Sequence, residues 1–191
     1  MYIPKHFEVK DQEELHRFIQ SHAFGQLISN IDGRPFVSHL PFKLSEDKQQ
    51  LLCHVARRNP QWQSIESQEI LVTFQGAHDY ISPTWYQSQG VPTWNYQAVH
   101  VYGKAELMTD SDELQTLVEE LSAIYERQNP NPWQPDYKAS MLNMIVGIKI
   151  AITEIQGKYK FSQNRSLEDR ENVISKLQEN GSNSLAKEMQ K

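Results

Sequence analysis

The string His54-Val55-Ala56-Arg57-Arg58-Asn59-Pro60-Gln61-Trp62 sets two guanidinium groups where an extended run gives way to a helix start. Such a junction leaves backbone N–H groups unpaired. With the positive end of a helix dipole and an arginine beside it, it suits a phosphate. Ordinary solvated arginines and a core tryptophan would read the same way. A second string, Thr93-Trp94-Asn95-Tyr96, combines flat aromatics with an amide that both donates and accepts. An isoalloxazine ring wants apolar flanks and polar edge contacts, so these types suit a flavin, and they suit a packed loop equally. The third, Gly157-Lys158-Tyr159-Lys160-Phe161-Ser162-Gln163-Asn164-Arg165, is a polar, basic junction ahead of a helix. It can hold an anion or simply turn the chain.

Other chemistries find little support. There is no Gly-x-Gly-x-x-Gly, P-loop, His-Glu-x-x-His or Gly-x-Ser-x-Gly. No pair among His39, His54, His78 and His100 has a compact metal-ligand spacing, so no zinc site is expected. The single cysteine, Cys53, follows Leu51-Leu52 and reads as a buried structural thiol.

The elements that must position these residues follow from periodicity. Asp11 and Glu14 have capping-box spacing, and Leu15, Phe18 and Ile19 recur at helical spacing, which predicts a helix over about 11–23. Asp32-Gly33 between extended segments predicts a tight hairpin. Strands are expected over 50–55 and 69–76, with a short helix from Pro60 toward Ile65. The segment from Tyr80 to Tyr96 reads as an aromatic, proline-rich loop. Val99, Val101, Gly103, Ala105 and Leu107 alternate with polar residues as a long strand. Asp110 or Ser111 caps a helix carrying Leu114, Leu117, Val118 and Leu121. A short helical piece over 138–144, a sixth strand ending at 157–161, and a helix opened by Ser166 complete the pattern. About six strands without a strand-helix-strand rhythm predict an antiparallel barrel with helices, mainly β or α+β in class.

The 191 residues are the size of one domain, with 38% hydrophobic and 23% charged residues, a globular composition. The expected division is one domain over 1–178 and a polar, frayed tail over 179–191. No apolar run approaches the roughly 18 residues needed to cross a bilayer, and Met1 to His6 lacks the apolar core of a signal peptide. A cytoplasmic protein with no membrane partner is expected. The net charge of −5 supplies no basic balance for DNA.

Six blocks occur in one order: Met1-Tyr2-Ile3-Pro4 with Phe7; Ser38-His39-Leu40-Pro41-Phe42; His54 to Trp62; Tyr80-Ile81-Ser82-Pro83-Thr84-Trp85-Tyr86; Val91 to Tyr96; and Lys160 to Arg165. Together, to about residue 177, they resemble the PaiB-type FMN-binding negative transcriptional regulators. The resemblance implies a split barrel related to pyridoxamine-phosphate oxidase and flavin reductases. It also implies an FMN ligand and a homodimer with ligand sites at the subunit seam. By this resemblance Ser38, His39, Leu40 and Pro41 contact the flavin edge, and Arg57, Asn59, Gln61 and Trp62 hold the phosphate. Trp94, Asn95, Lys160, Gln163 and Asn164 are carried over as site positions without assigned contacts. Negative regulation of transcription is implied too, but no helix-turn-helix is visible and the acidic balance does not support DNA as a direct partner. An FMN-dependent oxidoreductase with His39, His54 or Tyr96 as proton donor is the alternative, and a haem-binding split barrel a third.

Overall fold

The computed structural model describes all 191 residues. Its elements are β1 (Glu8–Val9), α1 (Gln12–Ser21), β2 (Phe24–Ile31), β3 (Arg34–Pro41), β4 (Lys43–Leu44), β5 (Gln50–Ala56), β6 (Glu69–Ile81), β7 (Thr93–Leu107), α2 (Ser111–Glu126), β8 (Ile145–Lys160), α3 (Leu167–Glu179) and α4 (Asn183–Met189). The strands form one sheet in the order β3-β2-β6-β7-β8-β5-β4, with β1 beside β8. Six strands are long, matching the number expected, and β1 and β4 add two residues each.

Two compact units divide the chain. One holds 19–74 and 101–155, the other 1–18, 75–100 and 156–191. In the first, β2 and β3 pair from Phe24↔Pro41 to Ile31↔Arg34. Asp32 (φ 51°) and Gly33 (φ 78°) both take the left-handed conformation that a two-residue hairpin turn requires. Buried Leu27, Phe42, Leu51, Val72, Phe74, Val101, Ile148 and Ile150 form its core. Asp110 caps α2 by accepting the Asp112 N–H, and Leu117 and Leu121 pack on Met108 and Leu52.

In the second unit α1 lies close over β8. A Cβ on Gly157 would come within 2.2 Å of Leu15 Cδ2, so only glycine permits this approach. Asp11 caps α1 through the Glu13 N–H at 2.9 Å, and Ser166 caps α3 through the Asp169 N–H at 3.2 Å. Ile81, Phe161, Val173, Leu177, Leu185 and Met189 make the core here.

The short helical pieces expected from Pro60 and over 138–144 are present as 3-10 turns, Pro60–Gln63 with Ile65–Ser67, and Ala139–Met144. The structure corrects three other expectations. β6 continues to Ile81, past Gly76 where it was expected to end. β7 begins at Thr93, so Thr93-Trp94-Asn95-Tyr96 is strand and not loop. The expected frayed tail contains α4, because Leu185, Ala186 and Met189 share one helix face and are buried. No helix is long and apolar enough to cross a membrane.

Candidate functional site

In the first unit, the strand residues of β3 and the junction after β5 are joined by hydrogen bonds. Asn59 caps the 3-10 turn at Pro60 by accepting the Gln61 N–H at 3.0 Å, and its Nδ2 donates to Ser38 Oγ at 2.8 Å. Gln61 is wholly buried. Its Nε2 donates to Ser29 Oγ at 2.9 Å and Leu27 O at 3.1 Å, while its Oε1 has no partner. The junction is thereby fixed against the β2–β3 hairpin. His39 is exposed, its ring stacked 6.5 Å from that of Phe24, and Leu40 and Pro41 are half-buried beside it.

Arg57 is anchored to the main chain. Its Nε donates to Asn143 O at 2.6 Å and its Nη2 to Ile145 O at 3.0 Å. The Trp62 indole donates to the Arg57 carbonyl at 2.9 Å, and its ring sits 6.0 Å from the guanidinium carbon. Nη1 keeps no protein acceptor, and neither Arg57 nor Arg58 pairs with a carboxylate. The unpaired N–H groups expected at this junction are taken, since Arg57 N–H bonds Met144 O, Asn59 N–H bonds Ala56 O and Gln61 N–H bonds Asn59 Oδ1, so the exposed, pre-oriented guanidinium is what can receive an anion.

In the second unit, Asn95 is fully buried and donates to Ser162 Oγ at 3.0 Å and to Met189 Sδ at 3.5 Å. Ser162 takes φ +60°, the one left-handed residue at the turn after β8. Gln163 closes that turn, accepting the Phe161 N–H and donating to Tyr159 O, each at 2.7 Å. Asn164 is exposed on it. Lys160 donates to Thr93 Oγ1. Burial, and then the neighbouring Lys158 charge, pull its pKa below the usual lysine value. Trp94 is 52% exposed, beside His78 and Tyr80 at ring distances of 6.4 and 6.2 Å.

Reading the sequence missed Lys158. It is buried, its Nζ donates to Tyr2 O at 3.1 Å, and it lies 5.7 Å from the Tyr2 ring centre and 5.2 Å from that of Tyr96. Its spacing of two from Lys160 on a strand was the available signal, since such residues share a face. Neither lysine has a carboxylate partner. Asp169 was missed as well. It is buried, accepts from Ser88 Oγ at 2.5 Å and from the Gln87 N–H at 2.7 Å, and these donors hold its carboxyl below the usual range.

The residues expected in one site therefore form two groups. Ser38, His39, Leu40, Pro41, Arg57, Asn59, Gln61 and Trp62 belong to the first unit, and Trp94, Asn95, Lys160, Gln163 and Asn164 to the second. Of the expected proton donors, His54 is half-buried with an unpartnered Nδ1, and burial lowers its pKa, so it stays neutral and is a poor acid. Burial pushes the Cys53 thiol up, which makes it inert.

An eight-stranded antiparallel sheet with few helices defines the fold class as a split barrel. Solved structures share it. The flavocytochrome Anf3 from Azotobacter vinelandii has a TM-score of 0.71, at 17% identity over 88% of this chain and 77% of that one. The FAD and heme binding protein from Mycobacterium smegmatis has a TM-score of 0.68, at 12% identity over 88% and 79%. Residues 1–154 match the family model described as "Putative FMN-binding domain", and the chain belongs to that family. It is also 45% identical over 200 residues to the protease synthase and sporulation protein PAI 2 of Bacillus subtilis, covering 99% of this chain and 94% of that protein. The PaiB resemblance drawn from the six sequence blocks holds.

Proposed function

We propose that the protein binds FMN and acts as a flavin-dependent regulator or sensor of the PaiB type, in the cytoplasm, as a homodimer with ligand sites at the subunit seam. The observation that carries this reading is the paired set of cations without carboxylates: Arg57 and Arg58 in one unit, Lys158 and Lys160 in the other. The buried Lys158 ammonium is costly unless an anion completes it, and the exposed Arg57 and Arg58 guanidiniums are open to one. The family match supports FMN as that anion. Arg57 Nη1 and Arg58 take the phosphate. Ser38 to Pro41 meet the ring edge, and Trp94, Asn95, Lys160, Gln163 and Asn164 are further ligand positions within the second unit.

The flavin would supply redox chemistry or a spectroscopic state. The chain's residues bind and orient it. Burial holds His54 toward its neutral form, and the contact made by the His39 ring is with Phe24, which favours a sensor over an oxidoreductase. Control of transcription runs through a partner surface, since the net charge of −5 gives DNA little to hold.

The test is a visible spectrum of the purified protein followed by titration with FMN. A flavin spectrum and saturable uptake are expected. Failure to take up FMN, or a Soret band with haem in its place, overturns the reading. Steady NAD(P)H consumption with FMN bound would replace the sensor by the oxidoreductase.

A further inference from the structure

The second unit contains a cavity of about 360 Å³ that the flavin reading does not use. Its walls come from the N-terminal segment, the end of β8 and the C-terminal helices. Tyr159 reaches it from β8 and Phe161 from just past the end of that strand, while Lys158 and Lys160 belong to the alternate positions of β8. Phe7, Val9 and Met189 make the rest of the apolar wall, and Glu8, Glu14, Arg170, Glu188 and Lys191 are the charged groups, with His6 beside them.

The hydrogen bonding of Arg170 is incomplete. A guanidinium has five N–H donors. Here Nη2 reaches Met189 O at 3.5 Å, the limit of bonding distance, and Nε is buried with no acceptor. Arg170 forms no ion pair, although three glutamates line the same cavity. Those carboxylates are held by other groups. Glu8 pairs with Lys10 at 3.5 Å, Glu14 accepts from Tyr159 Oη at 3.2 Å and from Arg17 Nη2 at 2.9 Å, and Glu188 pairs with Lys191 at 2.8 Å. The cavity thus presents an under-bonded guanidinium, separately fixed carboxylates and an aromatic-aliphatic wall. A carboxylate completes a guanidinium with two parallel bonds, and an ammonium is what fixed carboxylates attract. The volume falls in the usual range for small-molecule pockets, about 300–1,000 Å³, at its small end.

We infer that this cavity is a binding site for a free α-amino acid with an apolar side chain. Its carboxylate sits on Arg170, its ammonium faces Glu14 and Glu188, and its side chain lies against Phe7, Phe161 and Met189. The site is separate from the residues assigned to flavin, apart from Gln163, whose side chain closes the turn at its rim. Nothing in the inference requires FMN to be bound.

Calorimetric titration of the full chain with L-leucine and L-phenylalanine tests it. One saturable site per chain is expected. L-leucine methyl ester, which lacks the carboxylate, and N-acetyl-L-leucine, which lacks the ammonium, should each bind at least tenfold more weakly. Arg170→Gln should cost at least tenfold in amino-acid affinity, and Glu14→Gln several-fold, with FMN uptake read from the visible spectrum unchanged. No saturable heat with either amino acid overturns the inference. So does equal binding of N-acetyl-L-leucine, which would make the cavity a plain anion site. The two blocked ligands are tested on the unaltered protein, so the outcome stands even if Arg170→Gln does not fold.

Discussion

The two basic junctions reach a similar charge by opposite routes. After β5, Arg57 is exposed and its guanidinium is bolted to the carbonyls of Asn143 and Ile145, so orientation comes from the main chain. After β8, Lys158 is buried between two tyrosine rings, and Lys160 is half-buried with its pKa lowered. The first junction is a pre-oriented cation whose removal also unties backbone. The second is a sheltered store of positive charge, held by a main-chain carbonyl, a hydroxyl and two ring faces and left without a carboxylate. The difference teaches which substitutions should couple ligand affinity to stability and which should separate them.

Arg57→Ala should show the largest effect. We expect FMN affinity to fall by about 1.5–3 kcal/mol, the range for a charged hydrogen bond, and stability by about 1 kcal/mol as two carbonyls lose their donor. Flavin titration and urea melts read the two losses. Unchanged affinity would remove Arg57 from the phosphate site and leave it a structural residue.

Lys160→Met should divide the two quantities. FMN affinity should drop about tenfold, near 1.4 kcal/mol, while thermal stability at neutral pH holds or rises. The sign follows from the lowered pKa. Between that value and the ordinary lysine value the unfolded chain binds more protons, so the wild type gains stability as pH rises through this window. FMN affinity should move the other way over the same window, because the cation is lost. A variant less stable than wild type would show that Lys160 is a structural strut, which would erase the contrast between the junctions.

Gln61→Leu should cost about 1 kcal/mol in urea melts, toward the low end for a buried amide. The loss is limited because Oε1 already lacks a donor and its burial cost disappears with the amide. A loss as large as that of a core truncation would mean that Gln61 organises the hairpin itself. The smallest effect at neutral pH is expected for Asp169→Asn, whose consequence lies in acid. The Asp169 carboxyl is held low by Ser88 and the Gln87 N–H, so its contribution is full above the ordinary carboxylate value and fades as pH falls through the lowered one. The variant should have a flatter acid limb in circular dichroism, and an identical limb would assign acid sensitivity elsewhere.

Much of the frame was legible. Asp32-Gly33 fixed a hairpin because only two left-handed residues close it, and β7 declared itself from Val99 onward by strict alternation. Its first residues did not, since Asn95 and Gln97 occupy inward positions that pattern reading reserves for apolar residues. The polar residues that hid the strand are the ones it buries for a purpose. β6 was cut short at Gly76 for a related reason. A glycine usually interrupts a strand, but here a Cβ would collide with Phe18 at 2.8 Å, so the glycine admits a neighbour. α4 was hidden because Leu185, Ala186 and Met189 are spread among charged residues, and their shared face shows only once Ile81 and Phe161 are there to receive it. The candidate site was legible as three strings. Their division between two units was not, because it depends on long strands that pass from one unit to the other.

That division also fixes an order of synthesis. The first unit uses nothing beyond residue 155, so it can close while the rest of the chain is still in the ribosome. The second draws on the opening residues, a middle stretch and Met189, whose sulfur meets the Asn95 amide. Asn95 therefore waits through translation of more than ninety residues before its shelter exists, and a stalled or clipped chain would carry a finished first unit beside an unroofed second one.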